Sequence, residues 1–301
     1  MAGIPHICVC VCTYKRPEML SRLLSNLEAQ ETKGLFEYSI SIVDNDQEES
    51  ARQIVESHAR QSQIPITYDV EQEQNIALAR NRTVANAKGD FICIIDDDEI
   101  PDPKWILKLY NAIICFETDG VLGPVLPFFD RVPPKWVTKG GFFNRINHPD
   151  GHFLDWENTR TGNVMLKRDL FKESSLWFDP KFGSGGEDRD FFRRRMKEGH
   201  LFVWCNNAPV YEMVPPTRWE RIALLKKALL RGENAIQYEG SRIKTAFFSM
   251  VAILTYTSCL PVLFFLGHHL FMDFLIKDFD HLGKILGFLG FDWARKKFGR
   301  G

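Results

Sequence analysis

The sequence predicts an α/β fold in which a mostly parallel sheet is flanked by helices on both faces, and three observations predict it. Short apolar, β-branched runs alternate with helical patterns through the first half of the chain. One run, Phe91 to Ile95, is apolar at every position, as suits a strand buried on both faces near the centre of a sheet. Acidic clusters follow two of the runs directly, at the carboxyl strand ends where ligands of such sheets collect. The 301 residues accommodate one large domain or a domain with an appendage. A composition of 45% apolar and 26% charged residues is that of an ordinary folded protein. The net charge of -1 gives no overall attraction to nucleic acid, so no nucleic-acid partner is expected.

Ile7 to Cys12 reads as the first strand. Cys8, Cys10 and Cys12 alternate with Val9 and Val11, so they lie along one face at successive rises of ~3.3 Å per residue. That arrangement suits tetrahedral zinc poorly, because its ligands converge at about 2.3 Å. The three read as small buried groups in a reducing compartment. Pro17 fits the first turn of a helix bearing Met19, Leu20, Leu23, Leu24 and Leu27. A strand from Tyr38 to Val43 runs into Asp44-Asn45-Asp46, followed by a helix from Ser50 to Arg60 and a strand from Ile64 to Val70. Asn75 to Ala87 reads as a helix closed by Gly89, and Phe91 to Ile95 ends abruptly in Asp96-Asp97-Asp98-Glu99. After Pro101 comes a helix with Trp105, Ile106, Leu109 and Ile113.

From about Pro127 to Arg160 regular patterning fades into Pro, Gly and aromatic residues, and an irregular stretch of that length usually forms a lid or binding loop. Order returns at Asn163 to Lys167, then at Gly183-Ser184-Gly185-Gly186-Glu187-Asp188, which opens a helix with Phe191, Phe192 and Met196. Leu201 to Cys205 reads as a strand and Trp219 to Tyr238 as a basic amphipathic helix. Ala246 to Met272 then contains no Asp, Glu, Lys or Arg, a run longer than the ~20 residues that span a bilayer. Pro261, Gly267, His268 and His269 interrupt it, so a broken or re-entrant hairpin competes with a single span, and a buried core helix competes with both. Lys284 to Leu289 and Trp293 to Lys297 read as an interfacial amphipathic piece. The first residues offer no basic start, long apolar core or cleavage site, so no secretory leader is expected.

The four consecutive acids at 96–99 carry the sharpest chemical signal. Adjacent like charges repel and raise one another's pKa, a conflict that a divalent cation removes. One or two carboxylates, completed by water and phosphate oxygens, describe a Mg²⁺ or Mn²⁺ diphosphate site, against the alternative of an acidic solvated turn. Asp44 and Asn45 end the neighbouring strand, where a carboxylate can accept from a base N–H or a ribose hydroxyl, although both residues are also common turn formers. One of Arg80 and Arg82 is expected to meet phosphate or base, the other to be a surface charge. Thr13, Lys15 and Arg16 leave the first strand where they can approach a nucleotide or merely begin a helix. Glu187 and Asp188 follow glycines that let backbone approach a substrate, and a carboxylate there can take a proton from a hydroxyl or stabilise a helix start.

Taken together, Val11-Cys12-Thr13-Tyr14-Lys15-Arg16-Pro17, Ile42-Val43-Asp44-Asn45-Asp46, Ala79-Arg80-Asn81, Ile95-Asp96-Asp97-Asp98-Glu99, Thr161-Gly162-Asn163 and Gly186-Glu187-Asp188 resemble the family 2 glycosyltransferases of GT-A fold. Within that family the chain is similar to the glucosyltransferases of succinoglycan-type exopolysaccharide assembly. The resemblance covers about the first 240 residues. It implies a glycosyltransferase domain over 1–240, with a Rossmann-like nucleotide-sugar half at 1–126 and an acceptor half at 127–240, and a membrane-associated helical tail at 241–301.

The resemblance also implies roles. Asp44 matches the acid that binds uridine, with Thr13, Arg16, Asn45 and Arg80 nearby in the nucleotide pocket. Asp96 and Asp98 match the ends of the Asp-x-Asp motif around Asp97, Asp98 being the direct metal ligand. Asp188 matches the inverting catalytic base and Glu187 its acidic partner. The expected function is metal-dependent transfer of a hexose, with glucose as a candidate, from a UDP-sugar to a glycan or lipid-linked acceptor at the cytoplasmic face of the inner (plasma) membrane. Two departures stand out. Many relatives carry a late histidine that helps hold metal or diphosphate, whereas this chain reads Val210-Tyr211-Glu212. Processive polymerases carry Gln-x-x-Arg-Trp, whereas this chain has Pro215-Pro216-Thr217-Arg218-Trp219, which implies one sugar per encounter. The competing readings are a sugar nucleotidyltransferase, for which Thr13 to Pro17 offers no phosphate-clamping glycine, and a non-catalytic membrane-associated binding protein.

Overall fold

The computed structural model describes residues 3–172, 176–183, 185–236 and 242–291. In chain order the first part comprises β1 (His6–Thr13), α1 (Pro17–Glu28), β2 (Glu37–Asp44), α2 (Arg52–Gln61), β3 (Ile66–Val70), α3 (Ile76–Asn86), β4 (Phe91–Ile94), β5 (Glu99–Pro101), α4 (Trp105–Cys115), β6 (Gly120–Leu122) and β7 (Val125–Phe128). It continues with α5 (Lys135–Gly140), β8 (Val164–Lys167), α6 (Glu187–Lys197), β9 (Phe202–Trp204), β10 (Val210–Met213), α7 (Arg221–Ala235), α8 (Arg242–Leu266) and α9 (His268–Phe288). The main sheet has the order β3-β2-β1-β4-β8-β6-β9, which puts the fully apolar β4 at its centre. β3, β2, β1 and β4 run parallel, β8 runs antiparallel to both neighbours, and β6 and β9 pair in parallel. A second, three-stranded sheet has the order β5-β10-β7.

Period-two alternation in β1 distributes its side chains between two cores. Ile7, Val9 and Val11 pack with the leucines of α1 and with Trp105, Ile106 and Leu109 of α4. Cys8 and Cys10 face the other way, among Ala77 and Val84 of α3 and Phe191 and Phe192 of α6. Cys8, Cys10 and Cys12 are all free thiols. Pro17 occupies the first turn of α1, and Leu20, Leu23, Leu24 and Leu27 form its buried face. Asn75 caps α3 by accepting from the Ala77 and Leu78 amides at 3.0 and 3.4 Å.

The chain divides into two compact units, 1–127 with 145–213, and 128–144 with 214–301. The first contains the main sheet. In the second, α9 packs against α7, α8 and α5. A Cβ on Gly232 would collide with Asp280 of α9, and one on Gly283 with the Leu229 carbonyl, so glycines permit the close crossing of α7 and α9. The uncharged stretch forms two helices rather than one. α8 continues through Pro261 and stops at Gly267, whose amide donates to the Leu263 carbonyl at 3.0 Å, and α9 begins at His268. α8 turns Thr245, Ala246 and Ser249 inward and leaves Ile243, Phe247, Leu254 and Phe265 exposed, Phe265 at 86%. α9 carries the charges Asp273, Lys277, Asp278 and Asp280, and Thr257 of α8 donates to Asp278 at 2.7 Å.

Trp219, expected inside a helix, stands in a 3-10 turn over Pro216–Trp219, and the helix starts only at Arg221. The expected end of that helix at Tyr238, Ser184 of the glycine-rich stretch and the amphipathic piece at Trp293 to Lys297 lie outside the described residues. The irregular stretch from Pro127 to Arg160 holds α5 and a 3-10 turn at Trp156–Asn158.

Candidate active site

The site forms where the parallel strands end. β1 and β2 terminate in register, with Thr13 opposite Asp44. The chain leaving β4 folds back on that edge. Thr13 Oγ1 donates to Asp97 Oδ2 at 2.8 Å, and Arg16 Nη1 donates to Asp97 Oδ1 at 3.1 Å and Asp98 Oδ2 at 3.4 Å. Asp97 is therefore anchored to the exit of β1. Burial pushes its carboxyl pKa up, against the pull of Arg16 and Thr13. Asp96 closes a tight turn with Glu99: its amide donates to Glu99 Oε2 at 3.1 Å, and the Glu99 amide returns to the Asp96 carbonyl at 3.1 Å.

Asp98 meets the most negative surroundings. Its side chain is 13% exposed. Burial, then the charges of Asp96, Glu212 and Asp97, push its pKa up to about 7, with Arg16 opposing. Glu212 reaches this cluster because β10 pairs antiparallel with β5, setting Glu212 opposite Glu99, and because the Met213 amide donates to the Asp98 carbonyl at 2.8 Å. Its carboxylate pairs with Arg145. Glu99 is buried, its pKa raised well above the ordinary range by burial and then by Asp96, and its Oε1 has no hydrogen-bond partner. A set of hard oxygens held at raised pKa fits a hard divalent cation. Among the described residues no three His, Cys, Asp or Glu side chains form a ready-made metal cage.

Arg80 and Arg82 separate as two positions about 200° apart on a helix must. Arg80 turns inward, pairing with Glu187 and donating from Nη2 to Asp96 Oδ1 at 3.2 Å. Arg82 turns outward to Asp69 at 2.7 Å and Glu71 at 3.5 Å. Arg80 thus ties the end of β4 to the first turn of α6, and its charge faces acids. Glu187 keeps one buried oxygen, Oε2, without a partner. The cap position of α6 is Gly186 at φ 103°, and Glu187, Asp188 and Asp190 all stand in the first turn, where the helix dipole also favours acids. Asp188 is partly exposed in the first turn, and its Oδ1 accepts from the Arg189 amide at 2.7 Å.

Two residues depart from their expected surroundings. Asp44 is fully enclosed: Oδ2 accepts from the Ala51 amide at 2.8 Å and the Tyr68 hydroxyl at 3.0 Å, and Oδ1 from the Asp46 amide at 3.1 Å. Burial raises its pKa, and those three bonds oppose the rise. Asn45, expected at the ligand, commits its amide to the protein instead. It donates to the Glu71 and Glu73 carbonyls at 3.0 and 2.6 Å and accepts from the Asn75 amide at 2.9 Å, so it clamps the loop before α3. The glycine-rich stretch differs likewise. The close approach at Gly183 is to the side chain of Asn75, where a Cβ would collide, rather than to open space.

Sequence reasoning missed a small cavity beside these acids, lined in part by Arg145, Arg160, Gly162 and Trp204. A Cβ on Gly162 would lie 2.7 Å from Glu99 Oε1 and 3.1 Å from Asp96 Oδ2, so this glycine lets the cavity wall approach the acidic turn. The available signal was Arg160, directly before the Thr161-Gly162-Asn163 motif.

A parallel-dominant sheet thus gathers acids at its strand ends, with a further acid pair in the first turn of α6, the architecture of an α/β enzyme with its site at the strand ends. Residues 8–174 match the profile described as Glycosyl transferase family 2, more than half of the chain, and the chain belongs to that family. It is 32% identical over 230 residues to the succinoglycan biosynthesis protein ExoM of Rhizobium meliloti, covering 76% of this chain and 74% of that one. It is 24% identical to the chondroitin synthase of Escherichia coli over 71% of this chain, which spans only 35% of that protein. The structure of S. aureus TarS 1-349 in complex with UDP superposes with a TM-score of 0.52 at 17% identity, over 73% of this chain and 63% of that one, a likeness of GT-A fold. The protein is a family 2 glycosyltransferase.

Proposed function

We propose that this enzyme is an inverting, non-processive hexosyltransferase that moves a sugar, glucose foremost, from a UDP donor to a glycan or lipid-linked acceptor. The observation that carries the reading is the continuous link from the acidic turn to the helix-borne acids: Asp96 to Arg80, Arg80 to Glu187, and Glu187 to the adjacent Asp188. Asp98, with Asp96, would hold Mg²⁺ or Mn²⁺, which when bound supplies positive charge to the diphosphate. Thr13 and Arg16 position that turn through Asp97. Asp44, enclosed by the Ala51 and Asp46 amides and the Tyr68 hydroxyl, braces the end of β2, and Asn45 holds the loop alongside. Asp188 takes the proton of the acceptor hydroxyl as its oxygen bonds to the anomeric carbon and the bond to the diphosphate breaks on the opposite side. Arg80 neutralises Glu187 so that two neighbouring acids tolerate each other at the start of α6.

The bare apolar face of α8 supports contact with a membrane, at its cytoplasmic side given the nucleotide-sugar donor. α9, lying against α8, bears charges that disfavour a spanning hairpin and favour α8 lying in the interface. The succinoglycan function in the name of the Rhizobium meliloti relative and the UDP in the TarS structure agree with this reading. The experiment is a screen of UDP-sugars for UDP release, with Mn²⁺ or chelator, with and without membrane lipid extract. Release from one UDP-hexose, stimulated by extract and abolished by chelator, is expected. Full release in chelator refutes the metal assignment, and triphosphate consumption with pyrophosphate release refutes the transfer itself.

A further inference from the structure

We propose that the cavity beside the acidic turn is an acceptor subsite for an oxyanion, a carboxylate or phosphate carried on the sugar to be extended, with Arg160 as its counter-charge. The proposal rests on the glycosyltransferase reading above and adds the chemical class of its acceptor. Arg160 lines the cavity and makes no hydrogen bond or ion pair with any described residue. A guanidinium remains charged at all relevant pH and presents five donors in a rigid fork, and Arg160, partly buried, has no protein acceptor for them among the described residues. The neighbouring guanidinium differs: Arg145 is matched by Glu212. Burial and Arg145 depress the Arg160 pKa, while the charges of Asp188 and Glu212 sustain it. Arg160 therefore lies within electrostatic reach of the acid proposed to deprotonate the acceptor.

The rest of the lining says which anion. Leu122, Val125, Ile146 and Trp204 contribute an apolar wall. The diphosphate of a donor is gathered by donors and cations and has no use for hydrocarbon. A charged pyranose uses both surfaces, setting its C–H face on the indole and its oxyanion on the guanidinium.

The test uses the full chain and three probes: methyl β-glucuronide for a carboxylate, glucose 6-phosphate for a phosphate, and methyl β-glucoside as the neutral control. Affinities are read by saturation-transfer NMR with UDP and Mn²⁺ present, and UDP affinity is measured separately by calorimetry. At least one charged probe is expected to bind at least tenfold more tightly than the glucoside, and the one that does identifies the anion. Arg160→Gln should erase that preference with UDP affinity kept within twofold. Arg160→Lys, which keeps the charge, should retain part of the preference and serves if the glutamine variant does not fold. The proposal is overturned if neither charged probe outbinds the glucoside, or if Arg160→Gln weakens UDP in step with the charged probe, which would make Arg160 a diphosphate ligand. If the unsubstituted protein binds no UDP, the donor assignment fails, while the same comparison without UDP still decides the cavity.

Discussion

Replacing Asp98 with asparagine should remove catalysis and stabilise the metal-free protein. The carboxyl is pushed from an ordinary 3.8 to about 7. Ionising it above pH 7 in the folded state therefore costs about 4 kcal/mol more than in the unfolded chain, at about 1.4 kcal/mol for each tenfold change. Relaxation around a real charge reduces this, so a gain of roughly 2 kcal/mol is a fair expectation for the uncharged isostere. The substitution leaves the backbone bond from Met213 to the Asp98 carbonyl intact, and Arg16 keeps Asp97. The sign of the pH dependence follows. A raised native pKa means the folded chain holds more protons than the unfolded one between about pH 4 and 7, so wild-type stability falls as pH rises through that window. The advantage of the Asp98→Asn variant should be full at pH 8 and close toward pH 4. Urea denaturation in chelator and mild detergent reads the stability, and UDP release with Mn²⁺ should fall by at least about 100-fold. Equal stabilities at pH 8 would show that Asp98 bears no strain of charge, and the reasoning would be wrong.

Three other outcomes follow from the same geometry. Mn²⁺ affinity should weaken about tenfold between pH 8 and pH 6, because protons compete for a carboxyl titrating at about 7; paramagnetic titration measures it, and a flat profile contradicts it. Arg80→Met should destabilise the fold by about 3–5 kcal/mol in urea denaturation, since it strands the buried Glu187, and Glu187→Gln in the same chain should recover part of the loss. Phe265→Glu, on the exposed face of α8, should cut flotation with anionic phospholipid vesicles several-fold while UDP affinity holds, and unchanged flotation would remove α8 from the membrane contact.

The elements with strong periodicity were legible in the sequence. β1, α1, β2, α3 and β4 fall within a few residues of their predicted bounds because each shows a full period of apolar residues or a Pro or Asn start signal. β5, β6, β7 and β10 were not, since Gly, Pro or Glu interrupts each and none shows the unbroken apolar run of β4, and β5 and β10 depend on pairing between segments about 110 positions apart. Pro261 was read as an interruption, yet α8 passes through it, and the break falls at Gly267 where the backbone leaves the helical region. At the site, residue types were readable and side-chain directions were not. Asn45 looked like a ligand residue because its partners, Glu71, Glu73 and Asn75, lie about thirty positions away. Arg160 stood next to a motif, but its isolation from partners is a property of the tertiary cavity.

Calorimetric titration of UDP into the full chain, once with Mn²⁺ and once in chelator, addresses the role of the acidic turn most directly. Saturable binding with Mn²⁺ and affinity at least a hundredfold weaker in chelator is the expected result. Equal affinity under the two conditions would contradict it, leaving Asp96 and Asp98 as an acidic turn with no part in holding the nucleotide.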